Sequence, residues 1–346
     1  MPYQVKISPS NRTFIVEEGE PVLEAALRQG YSLPHGCRDG ACGSCKGKIL
    51  EGEVDYGNYQ PSALSETEKL SGLALFCQAK PKHNLVIECR EISAIKDIQI
   101  KTLPARVQKL EKLAPDVMAI FLKLPANERL QFLAGQYIDI LLKAGRRRSL
   151  SLANSPDQNE YLELHMRNVQ GGYFSQHVFT HMKERDILRI RGPLGSFFLR
   201  DDNAKPAIFV AGGTGFAPIK SMIQHALSTG PNRELILYWG ARARVDLYQN
   251  ELPDIWQREH VNFRFIPVLS EPQTHDDWLR RTGLVHRAVM DDFASLTNYQ
   301  VYVCGAPAMV DIAQQEFTRE RGLLAEEFFS DAFTFSSDPQ TATKTA

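Results

Sequence analysis

Apolar and polar residues alternate with a period of two at the start of the chain, on either side of Ser8-Pro9-Ser10-Asn11. Residues 3–16 are therefore expected to form two short strands around a turn. Pro21 to Gly30 reads as a helix, with proline in the first turn, apolar Val22, Leu23, Ala26 and Leu27, and glycine at the end. A loop rich in cysteine and glycine follows. Lys46–Leu50 predicts a strand ended by Gly52, Thr67–Leu70 a short helical turn, and Leu85–Cys89 a closing strand. Between the last two, the apolar stretch Leu73–Gln78 carries one more cysteine.

Residues 92–104 read as a linker ending at Pro104. Beyond it the apolar runs are short: Ala105–Leu110, Met118–Lys123, Tyr137–Leu142, Arg148–Ala153, Tyr161–Met166 and Ile187–Arg191. Their spacing and intervening turns predict a small antiparallel barrel. A helix is expected from Gly172 to His181. From Lys205 the pattern changes again. Continuous apolar runs at Ile208–Ala211, Leu235–Trp239, Phe263–Leu269 and Gln300–Cys304 alternate with helical stretches, the first at Ile219–Leu227. That alternation predicts a parallel α/β sheet. The expected division is 1–92, a linker at 93–103, a barrel at 104–202, an α/β unit at 203–335 and a polar tail at 336–346.

Length agrees with several units, since 346 residues are too many for one small domain. A net charge of −1 gives no support to nucleic-acid binding, and no apolar run approaches a membrane span. The average hides an asymmetry. Residues 1–95 hold 10 Lys+Arg against 12 Asp+Glu, residues 103–200 hold 15 against 9, and residues 201–346 hold 13 against 19. A basic middle section suits a polyanionic cofactor, although part of the excess belongs to any solvated surface. The chain opens Met1-Pro2-Tyr3-Gln4-Val5-Lys6, without an apolar signal segment, so a reducing, cytoplasmic setting is expected. The protein is expected to act as a monomer.

The cysteines add chemistry. Cys37, Cys42 and Cys45 form a C-x4-C-x2-C run, and Cys77 follows at a distance. This is the plant-type spacing for a 2Fe–2S cluster. Gly36, Gly40 and Gly43 suit a loop whose backbone turns sharply and aims amides at sulfur. A zinc site usually pairs two short C-x2-C hooks, and only one is present. Cys89 lies outside the pattern and is expected to be a buried strand thiol. A second motif is Gly212-Gly213-Thr214-Gly215, which joins an apolar strand to a helix. A helix N-terminus presents free amides to an anion, and glycine lets a pyrophosphate approach. The ordinary G-x-G-x-x-G fingerprint is absent.

In this order the chain resembles the ferredoxin-containing branch of the ferredoxin–NADP reductase superfamily, whose members include CDP-6-deoxy-Δ3,4-glucoseen reductase and reductase components of bacterial oxygenases. The resemblance covers residues 3–335. It implies a β-grasp α+β ferredoxin domain, an antiparallel β-barrel FAD domain and a parallel-sheet NAD(P) domain. It implies cluster ligation by Cys37, Cys42, Cys45 and Cys77. Arg148-Ser149-Leu150-Ser151 matches the family's Arg-x-Tyr-Ser, so Arg148 would meet a flavin phosphate and Ser151 the reactive edge of the ring. Leu150 stands where Tyr is usual, which removes a hydroxyl and an aromatic contact. Gly171, Gly172 and Ser175 match the diphosphate-binding turn, and His165, Met166 and Arg167 the strand that borders the flavin. Gly212, Gly213, Thr214 and Gly215 match the NAD(P)H pyrophosphate turn.

Cys304 and Gly305 match the family's Cys-Gly pair beside the nicotinamide. Phe333 matches an aromatic that reaches the flavin. Arg242 and Arg244 follow the stretch near the adenosine ribose; they either bind a 2′-phosphate or are exposed loop arginines, and NADH against NADPH stays open. Ser151, Thr214 and Cys304 are the expected catalytic residues.

The resemblance implies a reductase that takes a hydride from NAD(P)H onto FAD, passes single electrons to the cluster and delivers them to a partner protein. Flavin bridges the two because it exchanges electrons in pairs or singly. The expected acceptor is a CDP-sugar dehydrase, or alternatively an oxygenase component. Arg38 and Asp39, on the cluster loop, are expected to face that partner. A redox sensor that binds the same cofactors without turnover is the alternative from another class.

Overall fold

In the computed structural model the chain is described at residues 2–95, 97–158, 160–201, 204–229 and 233–334. The polar tail expected at 336–346 lies outside them. Among the described residues no helix is long and apolar enough to cross a membrane.

The alternating N-terminal segment forms antiparallel strands Tyr3–Ser8 and Thr13–Val16. Their inward residues Val5, Ile7, Phe14 and Val16 are buried, as a period-two pattern requires. The full sheet has five strands in the order Thr13–Val16, Tyr3–Ser8, Leu85–Glu88, Lys46–Glu51, Leu73–Leu75. Tyr3–Ser8 and Leu85–Glu88 are parallel, so the sheet is mixed. Helix Val22–Arg28 packs against it through Val22, Leu23, Ala25 and Ala26. The stretch Leu73–Gln78 is strand only to Leu75. Phe76 N–H then donates to the Cys45 carbonyl and Gln78 N–H back to that of Leu75, so the chain turns and delivers Cys77 to the cysteine loop.

The second unit is an antiparallel sheet of six strands, in the order Arg147–Ser151, Tyr137–Leu141, Ile187–Leu194, Lys101–Ala114, Val117–Lys123, Leu162–Arg167. A bridge between Leu152 and Leu164 joins its two edges and closes the barrel. Its first strand begins at Lys101, inside the stretch expected to be linker. Pro104 is tolerated there because Val117–Lys123 starts to pair only at Arg106, leaving the proline with one strand neighbour.

The third unit is a parallel sheet in the order Arg281–Thr282, Phe263–Leu269, Leu235–Ala241, Ala207–Gly212, Gln300–Gly305, Phe328–Ala332. Helix Phe216–Thr229 covers one face over Phe209, Ala211 and Leu237. Helices Val285–Asp292 and Pro307–Arg321 cover the other over Ile208, Val210 and Val303. Ala207–Gly212 is the central strand from which the order runs both ways. A sheet of this kind binds ligands at the carboxyl end of such a strand. Phe328–Ala332, expected only as a flavin-reaching stretch, is an edge strand that carries the chain to that end.

Candidate redox site

The cysteine loop is shaped by left-handed backbone at Arg38, Gly40 and Gly43, with φ of 61°, 74° and 76°. At Gly40 a side chain would press on the Asn58 carbonyl at 2.5 Å, so glycine is required. The turn aims amides at sulfur: Cys37 N–H donates to Cys42 Sγ at 3.3 Å and Asp39 N–H to Cys37 Sγ at 3.4 Å. The thiols interact in two pairs, Cys37 with Cys42 and Cys45 with Cys77. No three His, Cys, Asp or Glu side chains among the described residues group around a single metal ion. Two pairs of thiolates suit a cluster of two irons better than one zinc. Cys89 stands apart, its thiol pushed up to about 12 by burial and by Glu91.

A cavity opens where the three units meet. From the barrel it is lined by Arg148, Leu150, Ser151, His165, Met166, Arg167, Gly172 and Ser175, from the parallel-sheet unit by Thr214, Ala217, Asp331 and Phe333, and from the cysteine loop by Gly36, Cys37 and Asp39. Residues expected at the flavin and at the nucleotide site therefore share one wall system with Cys37 of the cysteine loop. Gly172 starts helix Tyr173–Thr180 without a side-chain cap, so a helix N-terminus, whose dipole favours an anion, borders the cavity. The Ser175 hydroxyl accepts from Val169 N–H at 3.2 Å and fixes the turn behind Gly171.

Gly212, Gly213 and Gly215 lie at the carboxyl end of the central strand. A side chain at Gly215 would overlap the Cys304 carbonyl, so this turn can seat against the neighbouring strand only with glycine there. Cys304 is fully buried and its thiol is pushed up by that burial. Gly305 accepts Phe333 N–H at 2.8 Å, which anchors the aromatic at the cavity. Beside Gly213 is the Arg167 guanidinium. Its Nη1 pairs with Asp116 at 3.0 Å and Asp246 at 3.4 Å, while Nη2 is buried with no hydrogen-bond partner. A buried guanidinium N–H without a partner next to a glycine turn fits a nucleotide phosphate oxygen. Arg242 is 68% exposed, 3.6 Å from Asp246, away from the cavity. Arg244 is held by Asp276, through its backbone N–H at 3.3 Å and its Nη1 at 3.0 Å.

Several residues at the site carry no motif. Glu163 accepts from Lys220 Nζ at 2.6 Å and from His165 Nε2 at 2.8 Å, and Tyr248 lies 3.0 Å from His165 Nδ1. Because Nε2 faces a carboxylate it carries the proton, so Nδ1 accepts from the Tyr248 hydroxyl. Burial would raise the Glu163 carboxyl, but the His165 hydrogen bond and the Lys220 charge bring it down to about 2. This chain of contacts ties the barrel to the nucleotide helix. Asp331 sits opposite Cys304 on the edge strand, and burial, with a contribution from Cys37, pushes its carboxyl up to about 7. The one sequence signal was a charged residue inside an apolar run, as at Lys220 and Glu163. Arg38 does not face outward as expected, being buried against Asp139, whereas Asp39 is exposed and accepts from Arg147 at 2.7 Å. Both point to the barrel, whose basic and acidic partners lie about a hundred residues away in sequence.

Cluster loop, barrel and nucleotide sheet, converging on one cavity, define an oxidoreductase that handles a flavin, a nicotinamide and an iron–sulfur cluster. Residues 5–82 match the 2Fe-2S iron-sulfur cluster binding domain, 104–199 the oxidoreductase FAD-binding domain and 209–315 the oxidoreductase NAD-binding domain. The chain is 38% identical over 333 residues to the CDP-6-deoxy-L-threo-D-glycero-4-hexulose-3-dehydrase reductase of Yersinia pestis, covering 96% of this chain and 99% of that protein. It is 36% identical to the reductase component DmpP of phenol 2-monooxygenase from a Pseudomonas species, over 96% of each. The crystal structure of the Amycolatopsis cytochrome P450 reductase GcoB superposes with a TM-score of 0.81 at 35% identity, over 97% of this chain and all of that one. The chain belongs to the family of ferredoxin-containing, FAD- and NAD-binding reductases. It is an NAD(P)H-dependent oxidoreductase that moves electrons through FAD to a 2Fe–2S cluster.

Proposed function

We propose that this reductase delivers its electrons to a separate CDP-sugar dehydrase, from a cluster held by Cys37, Cys42, Cys45 and Cys77. The observation that carries the electron path is the shared cavity: Cys37 lines it together with Ser151, Thr214 and Phe333. FAD supplies the exchange between paired and single electrons when bound there. The chain's own residues position and exclude. Arg148, the Gly172 helix start and Arg167 would hold phosphates. Ser151 and Thr214 would border the reacting groups, with Cys304 buried behind the turn, and Phe333 would cover the flavin. The acceptor is read from likeness along the whole chain to relatives named as reductases of a CDP-hexulose dehydrase. An oxygenase component is the second reading, favoured by phenol hydroxylase relatives of similar identity and coverage.

The test is reconstitution. With a CDP-6-deoxy-hexulose dehydrase and its sugar nucleotide, NADH oxidation is expected to depend on both. If the reductase couples only to an oxygenase component and its aromatic substrate, the dehydrase reading is wrong.

A further inference from the structure

The contact between the cysteine loop and the barrel is built like a lock. Arg38, between cluster cysteine Cys37 and the cavity-lining Asp39, turns its guanidinium away from solvent. Its side chain is 3% exposed and its partner Asp139, on strand Tyr137–Leu141, only 1%. A carboxylate this deeply buried is stable only when paired and hydrogen-bonded. Asp139 meets that need on both oxygens, taking the Arg38 Nη2 proton on Oδ2 and the Ser149 hydroxyl on Oδ1 at 2.7 Å. Ser149 lies between Arg148 and Leu150 on the cavity wall. One carboxylate thus holds the cluster loop with one oxygen and the flavin wall with the other.

Neutral and outer contacts repeat the same alignment. The Tyr137 hydroxyl donates to the Gly36 carbonyl at 2.6 Å. His35 Nε2 accepts Gly195 N–H at 2.9 Å, and the His35 carbonyl accepts Ser196 N–H at 2.9 Å. Glu24 bridges Arg38 at 3.6 Å and Arg191 at 2.7 Å. Arg38 itself is left-handed, a conformation that costs a non-glycine residue energy and persists where its surroundings impose it.

We propose that Arg38 and Asp139 form an electrostatic clamp that fixes the cluster loop against the flavin cavity, and that they are positioning residues for electron transfer between the two cofactor sites. The inference rests on the reductase reading. With both cofactors bound, FAD would take the hydride of NAD(P)H, its two electrons would cross the clamped contact one at a time to the cluster and leave singly for the acceptor protein, and the proton would go to solvent. The reductase domain and the cluster then work as one rigid donor, and the acceptor protein comes to the cluster rather than the cluster swinging out to it.

The experiment follows flavin and cluster absorbance separately after rapid anaerobic mixing of the holoenzyme with NADH, and hydrogen exchange of residues 35–39 and 137–141. Asp139→Asn is expected to keep its iron and flavin, to be reduced at the flavin within about twofold of the parent rate, and to pass electrons to the cluster at least about tenfold more slowly. Exchange in both segments should quicken by about tenfold or more. Arg38→Lys keeps the charge but loses the fork, so its slowing should be smaller. A fully loaded Asp139→Asn enzyme with unchanged cluster reduction and unchanged exchange overturns the clamp, as does equal slowing of both steps. If that variant does not fold, Glu24→Gln at the exposed edge of the network is expected to slow cluster reduction about threefold, and no change there overturns the proposal. A parent enzyme whose cluster NADH does not reduce would instead sink the reductase reading, while the exchange comparison would still report on the clamp.

Discussion

At the scale of single residues, the site is made of groups whose partners are missing or remote. Arg167 presents a buried Nη2 without a partner beside Gly213. A charge-assisted hydrogen bond to phosphate is worth about 1.5–3 kcal/mol. Arg167→Gln should therefore raise KM for NADH about tenfold or more while leaving the cluster intact, measured by steady-state flavin reduction; an unchanged KM would remove Arg167 from the nucleotide site. Glu163 carries a pH signature. Its folded-state value of about 2 lies below the ordinary 4.5, so its contribution to stability is present above pH 4.5 and is lost as pH falls toward 2. The difference corresponds to about 3 kcal/mol. Thermal midpoints of the parent and Glu163→Gln should differ most above pH 5 and converge near pH 2, and a gap constant across that range would contradict the assignment. Spacing alone singled out the four cysteines that the fold brings together in interacting pairs, because a rigid cofactor dictates intervals along the chain. Nothing local marked the pairing of Arg38 with Asp139 or of Lys220 with Glu163. Those contacts join residues 101 and 57 positions apart, and each charge by itself reads as surface.

At the scale of elements, periodicity located the strands well and their ends less well. The nucleotide helix starts at Phe216 rather than Ile219, because Pro218 is compatible with a first turn and the 3-10 turn Gly213–Gly215 leads directly into it. The short pair Val54–Asp55 and Lys80–Pro81 leaves no pattern at two residues per strand. Barrel closure was legible only as a strand count, since the Leu152–Leu164 bridge depends on how the sheet coils. The glycine turn carries the sharpest test at this level. A methyl group at Gly215 would have to displace the Cys304 backbone, which is locked in the sheet. Gly215→Ala is expected to lower the stability of the parallel-sheet unit by about 3 kcal/mol or more and to abolish reduction by NADH, read by calorimetry and flavin bleaching. A variant with parent stability and turnover would show that the turn has room the geometry denies.

At the scale of the whole molecule, three units that could each bind a cofactor alone are arranged so that their sites share one cavity. The linear order was readable, and with it the succession of cluster, flavin and nucleotide chemistry. The convergence was not, because it comes from contacts between units, apolar at Phe197 and Leu199 and charged at Arg38 and Lys220, whose pairing the sequence does not show. The consequence is one continuous cavity wall inside one chain, from Thr214 at the nucleotide turn, past Ser151 and Phe333, to Cys37. The most direct measurement is an anaerobic titration of the intact protein with NADH, followed by absorbance of flavin and cluster and repeated with NADPH. The account predicts that both chromophores bleach with either or both nucleotides, the cluster drawing its electrons through the flavin. Flavin that bleaches beside a cluster that stays oxidised, or two chromophores that neither nucleotide reduces, would contradict it.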